Sequence, residues 1–204
     1  MTIIEQAWQA FVEGKLVEAK DLLSKLNEDT ASSRSLRAYL ALEEQHYQQA
    51  MKLYEQNRIE ALLAKNQEEL HVALHQQAMV AREMDRLEEA LDLIAQEAEI
   101  IRQHFSDDAL RLAVNAYEQG YLRLKLHQTS EGLVYMKKSL SWALETDDLI
   151  AQACAYRGLG ELYQELGASE ESHLSFEQSL SLFCQAGDHL GAEEIEKMLK
   201  NSEF

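Results

Sequence analysis

The chain has 204 residues, enough for about one to two average domains, and carries no proline and only 8 glycines. Average usage near 5% and 7% would place roughly ten prolines and about fourteen glycines in this length. The many tight turns of a sandwich or barrel are therefore out of reach, and so are collagen-like, linker-like and disulfide-scaffold architectures. A hydrophobic fraction of 46% supports a sizeable core. The net charge is −17, with 10 acids against 7 bases in residues 1–64, 9 against 4 in 65–106, and 17 against 8 in 107–204. Nucleic acid and anionic membranes need a basic footprint, which this surface lacks, so neither is expected as a partner.

Taken in chain order, the helix signals fall into pairs. Met1-Thr2-Ile3-Ile4-Glu5 lacks the basic and apolar regions of a signal peptide, and Thr2 to Glu5 reads as a capping box opening the first helix. Asp29-Thr30 starts the next pair, and Asn66-Gln67-Glu68-Glu69 is a second capping box. Ser106-Asp107, Thr146-Asp147 and Asp188 are further starts, with Gly167 and Gly187 as stops. The expected units are 2–28, 30–64, 66–104, 107–145 and 147–185, each a helix pair, followed by a capping helix over 189–200. In that last helix Leu190, Ile195, Met198 and Leu199 should cover the preceding repeat, leaving Glu193, Glu194, Glu196, Lys197 and Lys200 to water. No 18-residue apolar run exists. Cys154 and Cys184 are too few for a disulfide framework and read as buried reduced thiols in a cytoplasmic protein.

Leu159-Gly160-Glu161-Leu162-Tyr163, followed by Gly167, Ser172, Phe176 and Leu180, resembles the tetratricopeptide repeat, a helix–turn–helix unit of about 34 residues. Slid backward, the template keeps fitting. Its first-helix small residue recurs as Ala7, Ala38, Ala78, Gly120 and Gly160. Its second-helix small residue follows twelve positions on, as Ala19, Ala50, Ala90, Gly132 and Ser172. Four further come Leu23, Tyr54, Ile94, Met136 and Phe176. Small side chains let paired helices approach closely, and the large apolar residue fills the space beside the crossing. Most successive units are about 40 residues apart, as in a long-helix variant seen in bacterial regulatory and sensor members. The resemblance implies an all-α, right-handed α-solenoid of about five helix pairs, a single domain over 1–204. Two departures stand out: the usual repeat-end prolines are missing, and Arg123 and Thr129 occupy positions that are commonly bulky and apolar.

Candidate chemistry is thin. Gly158-Leu159-Gly160 is only a fragment of a dinucleotide fingerprint and lies inside a helix pattern; no Walker or zinc-protease motif occurs. Cys184 and His189 lack an orienting third group. His71 and His75 share a helix face at i, i+4, but spacing nominates no third zinc ligand. The paired acids, Glu43-Glu44, Glu68-Glu69, Glu88-Glu89 and others, read as caps and solvated faces. No catalytic residue, metal or cofactor is assigned.

The resemblance instead implies a groove lined by the first helix of each repeat. It places Ile4, Trp8 and Val12 there, then Ser35, Tyr39 and Glu43; His75, Met79 and Glu83; Tyr117, Tyr121 and Lys125; and Arg157, Glu161 and Glu165. Tyr39, Met79, Tyr117 and Tyr121 would floor a protein- or peptide-binding site, with His75 and Glu161 beside them and Arg82, Lys125 and Arg157 available for partner carboxylates. The Lys/Asn/Arg clamp with which some relatives hold acidic chaperone tails is absent. The expected function is a non-catalytic interaction scaffold. A peptide sensor acting through a partner is the alternative, and it would lack an effector segment because the repeats begin at residue 2. A homodimer through an exposed N-terminal face of Ile4, Trp8, Phe11 and Val12 is the other.

Overall fold

The computed structural model describes residues 1–201, which form eleven α-helices and, among the described residues, no strand. Contacts divide the chain into two compact units, Met1–Leu93 and the residues from Ile94 onward. The first holds α1 (Ile3–Val12), α2 (Leu16–Ser24), α3 (Ala31–Glu43), α4 (Tyr47–Ala64) and α5 (Gln67–Glu83). Helix α6 (Leu87–His104) passes from one unit into the next. The second holds α7 (Ala109–Lys125), α8 (Thr129–Ala143), α9 (Leu149–Glu165), α10 (Ser169–Ala186) and α11 (His189–Asn201). An all-helical chain of ten paired helices and a final one is what the sequence leads one to expect.

Helices α1, α3, α5, α7 and α9 start at side-chain caps, whereas α2, α4, α8 and α10 have none. Thr2 closes a full capping box with Glu5, and Thr30 does the same with Ser33. Asn66 accepts from the Glu69 N–H at 3.2 Å. In the second unit the capping acids are Asp108 and Asp148, one or two residues past the expected starts.

All fifteen residues of the recurring small–small–large set are buried. Gly160 shows why the set is coupled. A Cβ there would stand 2.6 Å from two Phe176 ring atoms, while the Ser172 hydroxyl donates to the Gly160 carbonyl at 2.8 Å. Gly120 and Gly132 likewise meet backbone to backbone, each lacking room for a Cβ against the other's carbonyl. Arg123, which replaces a bulky apolar residue, lays its guanidinium 4.1 Å over the Tyr135 ring and donates to the Gln119 carbonyl. Its stem and plane supply the packing an apolar side chain would have given.

Two further periodic features were not read from the sequence. Seven residues after each first-helix small residue the chain turns through positive φ, at Gly14, Gln45, Asp85, His127 and Gly167. At each turn the next residue's N–H donates back to a carbonyl five positions earlier, as His46 does to Ala41 at 2.7 Å, so the helix ends in a Schellman-type stop. Glycine fills only two of the five positions. Seven residues after the second-helix small residue, a polar side chain often ties back to the start of the first helix. Asn57 donates to the Ala31 carbonyl, Ser139 to that of Ala113 and Ser179 to that of Ala153.

In the first unit this staple carries a buried cation. Arg34, 1% exposed, donates through Nε to Asn57 Oδ1 at 2.6 Å, through Nη1 to Asp29 Oδ2 at 2.9 Å, and through Nη2 to Glu60. The Arg34 guanidinium holds the Asp29 carboxyl below the usual range. That stabilisation is present above the ordinary aspartate pKa near about 4 and is lost as pH falls through the lower folded value.

Three expectations are corrected. Cys184 is exposed and Cys154 half-buried, so the two are not equivalent core thiols; the Cys184 position turns outward near the end of α10. Leu190 is 82% exposed, and α11 is instead seated by Ala192, Ile195, Met198 and Leu199 against Phe176 and Phe183. Finally, Ile4, Trp8 and Phe11 are not an exposed face. They pack on the core of Ala7, Ala19, Leu23, Leu36 and Leu40, and only Val12, at 79%, is open.

Gly160→Leu should destabilise by about 2–4 kcal/mol through overpacking against Phe176, measured by urea unfolding; an unchanged midpoint would refute the close approach. Arg34→Met should cost about 1–3 kcal/mol, because Asp29 and Glu60 are half exposed and regain water while Asn57 loses its donor. Neutralising the acids instead, with Asp29→Asn and Glu60→Gln, strands the buried guanidinium and should cost more, about 3–5 kcal/mol.

Candidate functional site

In the first unit, α3 and α5 present their facing sides as two adjacent pockets. The larger, about 540 Å³, is lined by Tyr39, Leu42 and Glu43 of α3, Gln45 and Tyr47 of the turn and α4, and Gln76, Met79, Arg82 and Glu83 of α5. Tyr39, Met79 and Arg82 are thus brought together as expected, while His75 is half-buried and does not line this pocket. Tyr39 is braced from behind, its ring 5.7 Å from both Trp8 and Phe11 and edge-on to Tyr54 at 6.3 Å. The Trp8 indole N–H donates to the Ser32 hydroxyl at 2.9 Å. A rigid aromatic wall so held loses little entropy when a ligand lands on it. Arg82 lies 3.6 Å from the Glu83 carboxylate, so it already has an acidic neighbour.

The smaller pocket, about 200 Å³, is lined by Ala31, Ser32 and Ser35 of α3, Tyr54 and Asn57 of α4, and Glu68, Glu69, Val72 and Ala73 of α5. The i, i+4, i+8 register found only Ser35 of this set. Glu68 and Glu69, expected as caps, stand in the first turn of α5, where Glu69 is capped by Asn66, and both residues also line this pocket.

In the second unit Tyr117 and Tyr121 stack with centroids 6.0 Å apart and planes 12° from parallel. Both lean on the Met136, Leu159 and Leu162 cluster, so they are supports as well as surface. Lys125 Nζ lies 5.1 Å from the Tyr121 centroid. Arg157 is not open for a partner: it donates to the Tyr117 hydroxyl and, through Nη1, to Glu194 Oε2 of α11 at 3.1 Å. Glu194 is exposed, as expected, and reaches Arg157 from the solvent side, a partner that helical periodicity does not reveal. Burial raises the Tyr117 phenol, and it also pushes the Glu161 carboxyl up against the pull of Arg157 and Lys125.

His71 is buried with Nε2 3.9 Å from Glu68 Oε1. Among the described residues no group of three or more His, Cys, Asp or Glu is placed to hold a metal, and no helix is long and apolar enough to cross a membrane.

No family model matches the chain, and no curated protein sequence does. Solved structures do. BtubC (BKLC) from P. vanneervenii superposes at TM-score 0.68 with 16% identity, over 98% of this chain and 89% of that one. A signal transduction ATPase with numerous domains from Pyrococcus horikoshii, which carries a tetratricopeptide repeat sensor, superposes at 0.82 with 18% identity, over 98% of this chain and 32% of that one. A Rap protein complexed with competence and sporulation factor gives 0.74 and 14%, over 98% and 63%. The fold is that of the tetratricopeptide repeat. This chain therefore spans about a third of the ATPase and somewhat under two thirds of the Rap protein, and at these identities the tetratricopeptide likeness is one of fold.

Glu161 offers a test of the second unit's electrostatics. A carboxyl whose folded pKa lies above its unfolded one opposes folding at neutral pH, and that cost vanishes below the unfolded value near about 4.3. Glu161→Gln should therefore raise the unfolding midpoint at pH 7, the difference closing as the pH is lowered to about 4. A variant less stable at pH 7 would show that Glu161 is held by a favourable charge interaction.

Proposed function

We propose that the chain is a non-catalytic binding module that holds a peptide or an extended segment of a partner protein between α3 and α5. The observation that carries this reading is the pocket in which Tyr39, Tyr47 and Met79 form an apolar floor with Glu43, Arg82, Glu83 and Gln76 around it. Rigid aromatics and a pliant thioether at the centre, with polar groups at the edge, are the usual make-up of a recognition site. The Rap neighbour's complex with competence and sporulation factor supports ligand binding on this fold, and the sensor named in the ATPase neighbour supports regulation as the second reading. Sensor and plain adaptor differ in coupling: a sensor's affinity for its partner changes when the peptide binds. A homodimer through α1 has less support, since Ile4, Trp8 and Phe11 are engaged within the chain.

Met79→Glu places a charge on the pocket floor without touching the Trp8–Phe11–Tyr39–Tyr54 cluster. Peptides selected on the wild-type protein from a random display library should bind this variant at least about tenfold more weakly, with helicity by circular dichroism unchanged. Selected peptides that bind both proteins equally would remove the groove from consideration.

A further inference from the structure

We propose that the groove selects a basic segment, with one lysine or arginine side chain laid in the smaller α3–α5 pocket and its cationic head between Glu68 and Glu69. This rests on the groove reading above and adds the chemistry of the occupant.

The argument begins with what the pocket is made of. Its floor is the ring of Tyr54, 1% exposed, with Ala31, Ala73 and the side of Val72. Asn57 lines the same pocket with both amide N–H groups already used. Its carbonyl accepts from Arg34, and its amide donates to the Ala31 carbonyl and to Ser35 Oγ at 3.1 and 3.0 Å. The Tyr54 ring is buried edge-on to Tyr39 at 6.3 Å, and burial together with Tyr39 keeps its phenol protonated.

Charge decides which ligand. None of the nine lining residues is basic, and the two ionisable ones at the mouth are both carboxylates. The nearest cation below the floor, Arg34, is consumed by Asn57, Asp29 and Glu60. Glu68 also stands 3.9 Å from His71 Nε2, so an incoming cation shares that carboxylate with the imidazole. The neighbouring pocket adds Glu43 and Glu83 against Arg82 alone. An acidic occupant would be repelled along the whole groove. A purely apolar one would strip water from two carboxylates. A lysine or arginine has an apolar stem and a cationic end. Val72 lies one helical turn, about 5.4 Å, from Glu68 along α5, which is a span the stem can cover while its head reaches the two carboxylates.

The test uses two selections from one random-peptide display library, on the wild-type protein and on the Glu68→Gln/Glu69→Gln variant. A third protein, Val72→Phe, plugs the pocket without altering charge. Wild-type binders should share one lysine or arginine position. Synthetic binders should lose about five- to tenfold in affinity on Glu68→Gln/Glu69→Gln, on Val72→Phe, or when that lysine is replaced by norleucine, and the difference should shrink in high salt. Binders that depend on Met79 but show no basic position, or bind the charge-neutral variant equally well, would overturn the inference and leave the groove reading in place. No Met79-dependent binder from either selection would remove both. Circular dichroism of each variant separates lost binding from lost folding.

Discussion

Close approach of paired helices is the constraint from which the rest follows. Each repeat puts two small residues face to face, and the space left beside them is filled by one large residue four positions on. At Gly160 the tolerance is so tight that a single methyl would enter the Phe176 ring. Because backbones come this close, their polar groups become each other's partners, and Ser172 bonding to the Gly160 carbonyl is one outcome. The same closeness brings the second helix within reach of the first helix's opening turn, which is why Asn57, Ser139 and Ser179 can tie back to it. A fixed crossing also fixes which side of each first helix stays uncovered, and the pockets between α3 and α5 are formed from that side.

Much of this was legible because it is periodic. Fifteen residues at three coupled positions outweigh the missing prolines, and the capping residues place most helix starts to within a residue or two. The turns were legible only where glycine marks them. Gln45, Asp85 and His127 adopt the same left-handed geometry, held by the Schellman-type bond, and nothing in those residue types announces it. Leu190 and Cys184 were misplaced for a related reason. Near a helix end, a residue's facing depends on where the neighbouring helix stops, and hydrophobicity alone does not carry that.

The site was legible to the extent that it follows helical register. Tyr39, Met79 and Arg82 converge as the i, i+4 spacing requires, and Tyr117 and Tyr121 stack for the same reason. What register cannot supply is the state of each side chain. Arg157 looks available in the sequence and is in fact held by a phenol from α7 and a carboxylate from α11, both distant along the chain. Ile4, Trp8 and Phe11 look exposed for want of a preceding repeat, yet the Trp8 indole reaches Ser32 across 24 positions and turns the face inward.

The acidic surplus acquires a more specific meaning in the structure. A charge of −17 spread evenly would serve solubility and little else. Here part of it is aligned: Glu43, Glu68, Glu69 and Glu83 edge two adjoining pockets of one groove, and Arg82 is the single basic side chain among the residues lining them. Low-dielectric walls built from Tyr39, Tyr54, Val72 and Met79 strengthen the field of those carboxylates beyond what the same charges would exert on an open surface. On the proposed reading, such a field would draw cationic segments in and turn anionic ones away before any close contact forms. The apolar floor would then decide how long they stay, since steering sets the on-rate and buried anchors set the off-rate.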